Sequence, residues 1–396
     1  MVFGVVDLVI AVLLLGAIGM GLSAGFFSIL GGLCGLVVGA LAVPVVLPLV
    51  ARVLPESQWQ GLIIVAVALA LLVVGSGIGS AIGALLRRGA DHLRLRVLER
   101  MLGGVAALVA GALAITMAGS SIATAGIPGL SPAVASSTVL STIEQYTPAP
   151  LADATARLRA LVFGGMQLPT VDGAANPGVL DAAPHAGSID LSSPGLKAAQ
   201  ASVARISGVA SQCSIISNGS GFVIAPDRII TNAHVVAGVG APVVELPGEP
   251  ARDGRVVYYD PVDDIAVIAA DVSAAPLVLS DALKPGDGAA VMGYPFGGPF
   301  TEVAAGVISS SEASLPSIYG DQTDVRSIYA LRAQVEPGNS GGPLLTESGQ
   351  AAGLVFAKDE ARQGIGYAMT NAELLPVIAQ LGNDEKTVST GACRKE

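Results

Sequence analysis

Ile230-Thr231-Asn232-Ala233-His234-Val235-Val236, and a hundred residues later Pro337-Gly338-Asn339-Ser340-Gly341-Gly342-Pro343-Leu344, decide the reading of this chain. Between them lies Asp263-Asp264-Ile265-Ala266-Val267-Ile268. Short apolar runs surround all three, among them Gly221-Phe222-Val223-Ile224, Val256-Val257-Tyr258 and Ala289-Ala290-Val291-Met292. Gly, Pro and Asp separate these runs. Many short strands with turn signals predict an all-β sandwich or barrel, and the stretch from residue 200 to 396 is long enough for two small barrels.

The chemistry follows from residue types and order. Acylation of a serine needs a nucleophile, a base to take its proton, and a carboxylate to hold the base's tautomer. The chain has three histidines, His92, His185 and His234. Only His234 ends a strand in the β-rich region, so it is the expected base. Asp264 is the expected orienter, because an apolar strand follows it directly and can bury it against the imidazole. Asp263 and Asp260 compete for that role. Ser340 is the expected nucleophile. The glycines around it let the backbone turn, so that N–H groups of the Gly338-Asn339-Ser340 loop, Gly338 and Ser340 foremost, converge on a developing oxyanion. Losing one such donor costs about 3–4 kcal/mol of transition-state stabilisation. The competing reading of Gly-Asn-Ser-Gly-Gly is a flexible loop, and that of an isolated His or Asp is a structural residue.

The chain order His, Asp, Ser and the absence of Gly-x-Ser-x-Gly around Ser340 separate this set from subtilisins and α/β-hydrolases. The motifs resemble the trypsin-like serine proteases of the chymotrypsin clan, bacterial HtrA-type members in particular, over residues 200 to 380. Gly293-Tyr294-Pro295-Phe296-Gly297 and Gly306-Val307-Ile308-Ser309-Ser310 resemble the start of that family's second barrel. The resemblance implies a chymotrypsin-like double β-barrel and serine endopeptidase activity without a cofactor. It also implies that Gln334, six positions before Ser340, sits at the base of the specificity pocket. Gln334 is not acidic, so a preference for Arg or Lys is not indicated, and an apolar or small residue is expected there instead. Val355, Phe356 and Ala357 should line the cleft and bind substrate backbone by strand addition. One departure is that the 56 residues after Ser340 cannot hold a PDZ-sized domain.

Outward from this region the composition changes. The whole chain is 52% hydrophobic and 13% charged, with a net charge of −10, whereas soluble domains carry about 25% charged residues. The acidic balance excludes a nucleic-acid binder, which needs a basic face. Residues 1–126 carry a net +2 and the remainder −12. Apolar runs at 5–22, 26–50, 61–86 and 101–123 are long enough to cross a bilayer, which takes ~20 residues. Five of the six basic residues in this third lie between Arg87 and Arg100. The positive-inside rule places that loop in the cytoplasm, and counting spans places the N-terminus and everything after residue 126 outside. Gly31, Gly35 and Gly39 form one small-residue series, and Gly75, Gly79 and Gly83 another. Such faces pack helices closely in lipid, either within one bundle or against a second copy. Asp7 is expected at the membrane interface. No paired buried ions of a pump are evident.

Asp7, the Gly21-Leu22-Ser23-Ala24-Gly25-Phe26 turn and the four-span layout resemble the CvpA-type membrane family. The expected organisation is therefore a CvpA-like membrane domain at 1–126, an extracytoplasmic linker at 127–199, and the protease domain at 200–396. The linker is rich in Pro, Ser, Thr, Ala and Gly and reads as a tether, with a short helix over Leu151 to Phe163. A docking or cleavage segment is the alternative. The whole arrangement is similar to the MarP-type periplasmic acid-resistance proteases of actinobacteria. That resemblance implies a multi-pass protein of the cell membrane that acts on envelope proteins in acid and oxidative stress. An ordinary imidazole titrates at about 6.5, so a base of this type loses activity in acid. A role there calls for a base kept neutral by its surroundings or for an offsetting activation.

Cys34 lies in a span. Cys213 and Cys393 flank the protease region, and an extracytoplasmic location permits their pairing; the MarP resemblance implies the bridge. No metal site is expected, since no His or second Cys stands at ligand spacing. Two other functions compete with the endopeptidase: a catalytically silent pseudoprotease used for binding, and the regulatory outer domain of a membrane transporter.

Overall fold

A computed structural model describes residues 4–53, 60–92, 96–123, 127, 129–148, 150–152, 154–157, 168–171, 189–210, 212–213, 215–382 and 386–393. The chain divides into two compact units, Met1–Thr116 and Met117–Glu396. The expected boundary at residue 126 and His185 lie outside the described residues, as does the part of the expected linker helix beyond residue 157.

The first unit is helical: α1 (Val5–Ala24), α2 (Phe26–Val53), α3 (Gln60–His92) and α4 (Arg96–Ala123), the last running on past Thr116. All four contain a stretch long and apolar enough to cross a membrane. Leu, Val and Ile occupy their outward faces, as a lipid solvent requires and water forbids. Asp7 is buried, and its carboxylate accepts the Gly4 N–H at 2.9 Å, closing the first turn of α1.

Both glycine series are used inside the chain. Gly31 and Gly35 of α2 face Gly79 and Gly75 of α3, and Gly83 faces the backbone at Phe27 and Ser28. A Cβ at any of these positions would overlap the opposing backbone, so side-chain-free surfaces set the α2–α3 approach. Gly21 of α1 and Gly103 of α4 meet in the same way. Where α1 ends at Gly25, Arg87 Nη1 donates to the carbonyls of Ser23 (3.1 Å) and Ala24 (2.6 Å), and its Nε lies 3.5 Å from the buried Glu99.

In the second unit, α5 (Leu130–Ala135), α6 (Thr138–Tyr146), β1 (Thr170–Val171) and α7 (Pro194–Ala199) precede the barrels. Described parts of the stretch expected to be a tether rest on the β-rich body. Ser136 Oγ accepts the Ala251 N–H at 2.8 Å, and β1 pairs in parallel with Lys358 and Asp359. The Arg157 guanidinium lies 4.8 Å from the centre of the Phe296 ring.

The first sheet is built from β2 (Val203–Ala210), β3 (Ile215–Ala225), β4 (Arg228–Thr231), β5 (Val243–Glu245), β6 (Arg252–Asp253), β7 (Arg255–Asp260) and β8 (Ile265–Ala269), with the one-turn α8 (Ala233–Val236) after β4. Its order is β6-β5-β2-β3-β4-β8-β7. The second sheet takes β9 (Gly288–Gly293), β10 (Thr301–Pro316), β11 (Thr323–Arg332), β12 (Pro343–Leu345), β13 (Ala351–Asp359) and β14 (Ile365–Thr370), followed by α9 (Asn371–Gln380). Here the order is β1-β13-β12-β9-β10-β11-β14, and pairing of β13 with β14 closes it. Each curled sheet has its own core: Ile206, Val223, Ile229 and Ile268 in the first, and Val291, Val307, Tyr329 and Leu344 in the second. A third cluster joins them, with Phe222, Ile230 and Val267 against Met292, Tyr367 and Met369. β4, β8, β9, β12 and β13 are buried on nearly every residue because one side faces a barrel interior and the other this seam.

Cys213 and Cys393 are disulfide-bonded, 180 residues apart in sequence. The bridge holds a segment that crosses the first barrel. Val388 N–H donates to Val256 O, Gly238 N–H donates to Thr390 O, and Tyr319 Oη donates to Ala392 O. Replacing both cysteines by serine in the full chain is expected to cost about 2–5 kcal/mol, read as a fall in Tm that reducing agent reproduces in the wild type and not in the variant.

Candidate active site

β4 ends at Thr231 and the chain turns at once into α8, whose four residues leave His234 at the mouth between the barrels. The short turn exists because Ala233, Val235 and Val236 are buried anchors, while His234 alone points out of that core. Nδ1 of His234 lies 2.8 and 3.0 Å from the two carboxylate oxygens of Asp264, and the His234 backbone N–H donates to Asp264 Oδ1 at 2.9 Å. A carboxylate only accepts, so Nδ1 carries a proton, and in the neutral imidazole Nε2 is then the lone-pair acceptor. Both side chains are largely withdrawn from water, 7% and 5% exposed, which strengthens the pairing.

It is Asp264, not Asp263 or Asp260, that meets the imidazole. Asp260 spends its Oδ1 on the backbone N–H groups of Val262 and Asp263, shaping the β7–β8 turn. Asp264 itself has φ +59°, a conformation uncommon for a residue with a Cβ. Asn232 secures it, donating from Nδ2 to the Asp264 carbonyl at 3.0 Å. The Asp263 carboxyl is pushed up, by partial burial first and then by the charges of Asp260, Asp324 and Glu373.

Ser340 lies on the loop before β12 and is buried. Its Oγ makes no hydrogen bond among the described residues. The Ser340 carbonyl and the Val235 side chain both border Gly219 of β3, so the serine loop and the histidine helix share one strand as their floor. Ser220 ties the loop down: its N–H donates to Ser340 O (2.7 Å), its Oγ donates to Gly338 O (2.7 Å) and accepts from Tyr294 N–H (2.9 Å). Gly338 and Gly341 have φ +98° and +82°, and a Cβ at either would strike neighbouring backbone. In this loop the N–H groups of Asn339, Gly341 and Gly342 donate to Glu336, Val355 and Asn339 carbonyls. Those of Gly338 and Ser340 donate to none of the described residues, which leaves two N–H groups for an incoming oxyanion.

Five positions differ from expectation. The Asn339 N–H is held by Glu336 O at 3.0 Å and does not join the oxyanion donors. Gln334 is exposed, and its Nε2 donates to Glu336 Oε1 at 2.9 Å, because the alternation of the segment sends Ala333 and Val335 into the second core instead. Val355 has no backbone group to offer a substrate: its N–H donates to Gly342 O and its carbonyl accepts from Gly341 N–H. Phe356 occupies a bulge between Val355 and Ala357, and these side chains are packed in the cores. Two residues that support the site geometry were not singled out by sequence: Ser220 and Asn232. Asn232 stood inside the quoted Thr-Asn-Ala-His motif.

With this geometry in view, comparison with known proteins is direct. Residues 219–354 match the family described as "Trypsin-like peptidase domain", and residues 6–148 match "Colicin V production protein". The chain is similar to serine protease Rv3671c of Mycobacterium tuberculosis, 37% identical over 272 residues, which cover 67% of each chain. It is also 34% identical over 180 residues to a probable periplasmic serine endoprotease DegP-like from Marinomonas, covering 43% of this chain and 36% of that one. The crystal structure of the active form of the Rv3671c protease superimposes with a TM-score of 0.50 at 35% identity, covering 58% of this chain and 95% of the other. Fold and comparisons together define a trypsin-like serine endopeptidase linked to a membrane-capable helical region. The chain belongs to the MarP-type family, in which a CvpA region precedes an HtrA-like protease domain.

The raised Asp263 carboxyl has a consequence for stability. Its proton is held more tightly in the folded than in the unfolded chain, so its charge works against the fold once pH rises through the carboxylate range. Asp263→Asn should therefore raise Tm at neutral pH, and the gain should disappear as the pH is lowered through that range.

Proposed function

We propose that the protein cleaves peptide bonds of cell-envelope proteins outside the cytoplasm, with His234 as base, Asp264 as its orienter and Ser340 as nucleophile. The observation that carries this reading is the two-point contact of His234 Nδ1 with the Asp264 carboxylate at 2.8 and 3.0 Å, which leaves Nε2 as the proton acceptor.

In this mechanism Ser340 Oγ attacks the scissile carbonyl carbon while Nε2 takes its proton. The carbonyl π bond opens to an oxyanion held by the Gly338 and Ser340 N–H groups. His234 then gives the proton to the leaving amine nitrogen as the C–N bond breaks, and water repeats the sequence on the acyl-enzyme. The remaining hydrogen bond, Ser340 Oγ to Nε2, forms as substrate fills the cleft; such contacts often tighten only in the complex. The basic loop from Arg87 to Arg100 supports an orientation with this loop in the cytoplasm and the barrels outside. The stress role is carried over from the MarP resemblance. The domain limits are 1–126 for the helical region, 127–199 for the linker and 200–396 for the protease, with described parts of the linker resting on the protease. Self-association through glycine faces has little support, because both series are consumed between α2 and α3.

A fluorophosphonate probe should label the detergent-solubilised full chain and leave Ser340→Ala unlabelled, and casein hydrolysis should fall by at least about 10³-fold in that variant. Equal labelling of both proteins would reject the nucleophile. For orientation, single cysteines introduced near Ala90 and in the protease region should be shielded from and open to a membrane-impermeant maleimide, respectively, in intact cells.

A further inference from the structure

Arg326 is an arginine in an unfavourable place. It belongs to β11 of the second barrel and is 3% exposed. Burying a guanidinium costs several kcal/mol unless it is paired, yet no carboxylate oxygen of a described residue lies within ion-pair distance of it. Nη2 donates to Pro316 O at 2.7 Å, Nη1 reaches Asp263 O at 3.4 Å, and Nε is buried without a partner. The Phe356 ring lies 5.7 Å below the guanidinium carbon. Burial draws the guanidinium down from its ordinary value. Among the acids that oppose this, Asp264 comes first, followed by Asp263, Glu373 and Asp324.

The position of the residue accounts for this cost. Among the described residues, three contacts from outside the β7–β8 turn, which carries Asp264 in its left-handed conformation, reach its backbone carbonyls. Asn232 grips the Asp264 carbonyl from the first barrel. The other two come from the second: Ile318 N–H donates to Pro261 O at 2.9 Å, and Arg326 reaches Asp263 O. The turn is therefore fixed by the same barrel that carries Ser340. The charged and titratable groups around it among the described residues are Asp260 and Asp263 on the turn, Tyr258 and Tyr259 on β7, His234 on α8, Asp324 and Arg326 on β11, and Glu373 on α9. Arg326 is the arginine among them.

We propose that Arg326 is a positioning residue for Asp264, a buried side chain that keeps the β7–β8 turn in register with the Ser340 loop. The proposal rests on the assignment of His234, Asp264 and Ser340 as the catalytic residues. Without the guanidinium the Asp263 carbonyl loses its grip from β11, and the two-point contact of the Asp264 carboxylate with His234 loses its fixed position relative to Ser340.

The test uses the full chain in detergent micelles and a fluorogenic peptide cleaved by the wild type, with rates normalised to sites titrated by fluorophosphonate. Arg326→Gln should lower kcat about tenfold and leave KM within about twofold. Arg326→Lys keeps a charged donor without the fork, so its kcat should fall less. Wild-type kcat in Arg326→Gln, or a loss carried by KM, overturns the proposal. If Arg326→Gln yields no folded protein, Arg326→Lys decides: lowered kcat at unchanged KM supports the role, and wild-type kcat overturns it. Hydrolysis retained in Ser340→Ala would overturn the site itself, and this role with it, whereas wild-type behaviour of the Arg326 variants beside an inactive Ser340→Ala would overturn only the role of Arg326.

Discussion

Everything at the site hangs on the seam between the barrels. His234 and Asp264 come from one and Ser340 from the other, so no local rule can set their separation. The seam is apolar in its body, where Phe222, Ile230 and Val267 meet Met292, Tyr367 and Met369. It is polar at its mouth, where Ser220 reaches across to Gly338, Ser340 and Tyr294. Apolar packing resists separation without fixing direction. The hydrogen bonds of Ser220 supply the direction, and they are buried, so breaking one leaves unsatisfied groups rather than solvated ones.

The parts legible in the sequence were those with short-range causes. Alternating apolar runs, glycines at positive φ and the His and Ser motifs each act within a few residues, and they led to the barrels and to the His234–Asp264 contact. The specificity surface was not legible. Gln334 was assigned by its distance in sequence from Ser340, but the alternation of Ala333 and Val335 into the core turns it outward. Val355 was assigned to substrate, yet its backbone is taken up by Gly341 and Gly342. Arg326 was invisible for the opposite reason: its significance is entirely long-range, lying in a turn some sixty residues earlier.

The membrane-capable unit follows different physics with the same economy. In water, helices meet through large apolar side chains; here α2 and α3 meet through bare backbone at Gly31, Gly35, Gly75 and Gly79. Lipid offers no hydrophobic drive for association, so close approach and dispersion must supply it. Leu and Val are left for the outward faces, which explains why the chain as a whole is so apolar while its protease unit has an ordinary core.

The bridge between Cys213 and Cys393 also governs when the fold can be completed. Cys393 lies beyond every strand of both barrels, so the bond closes only after the full set of strands has been synthesised and has reached an environment that oxidises thiols. Until then the segment that packs on Val256, Gly238 and Val239 is held by hydrogen bonds and by apolar packing against Ala210 and Val239, without a covalent tie. The covalent lock thus arrives last in the order of manufacture, on the side of the barrel that presents the base.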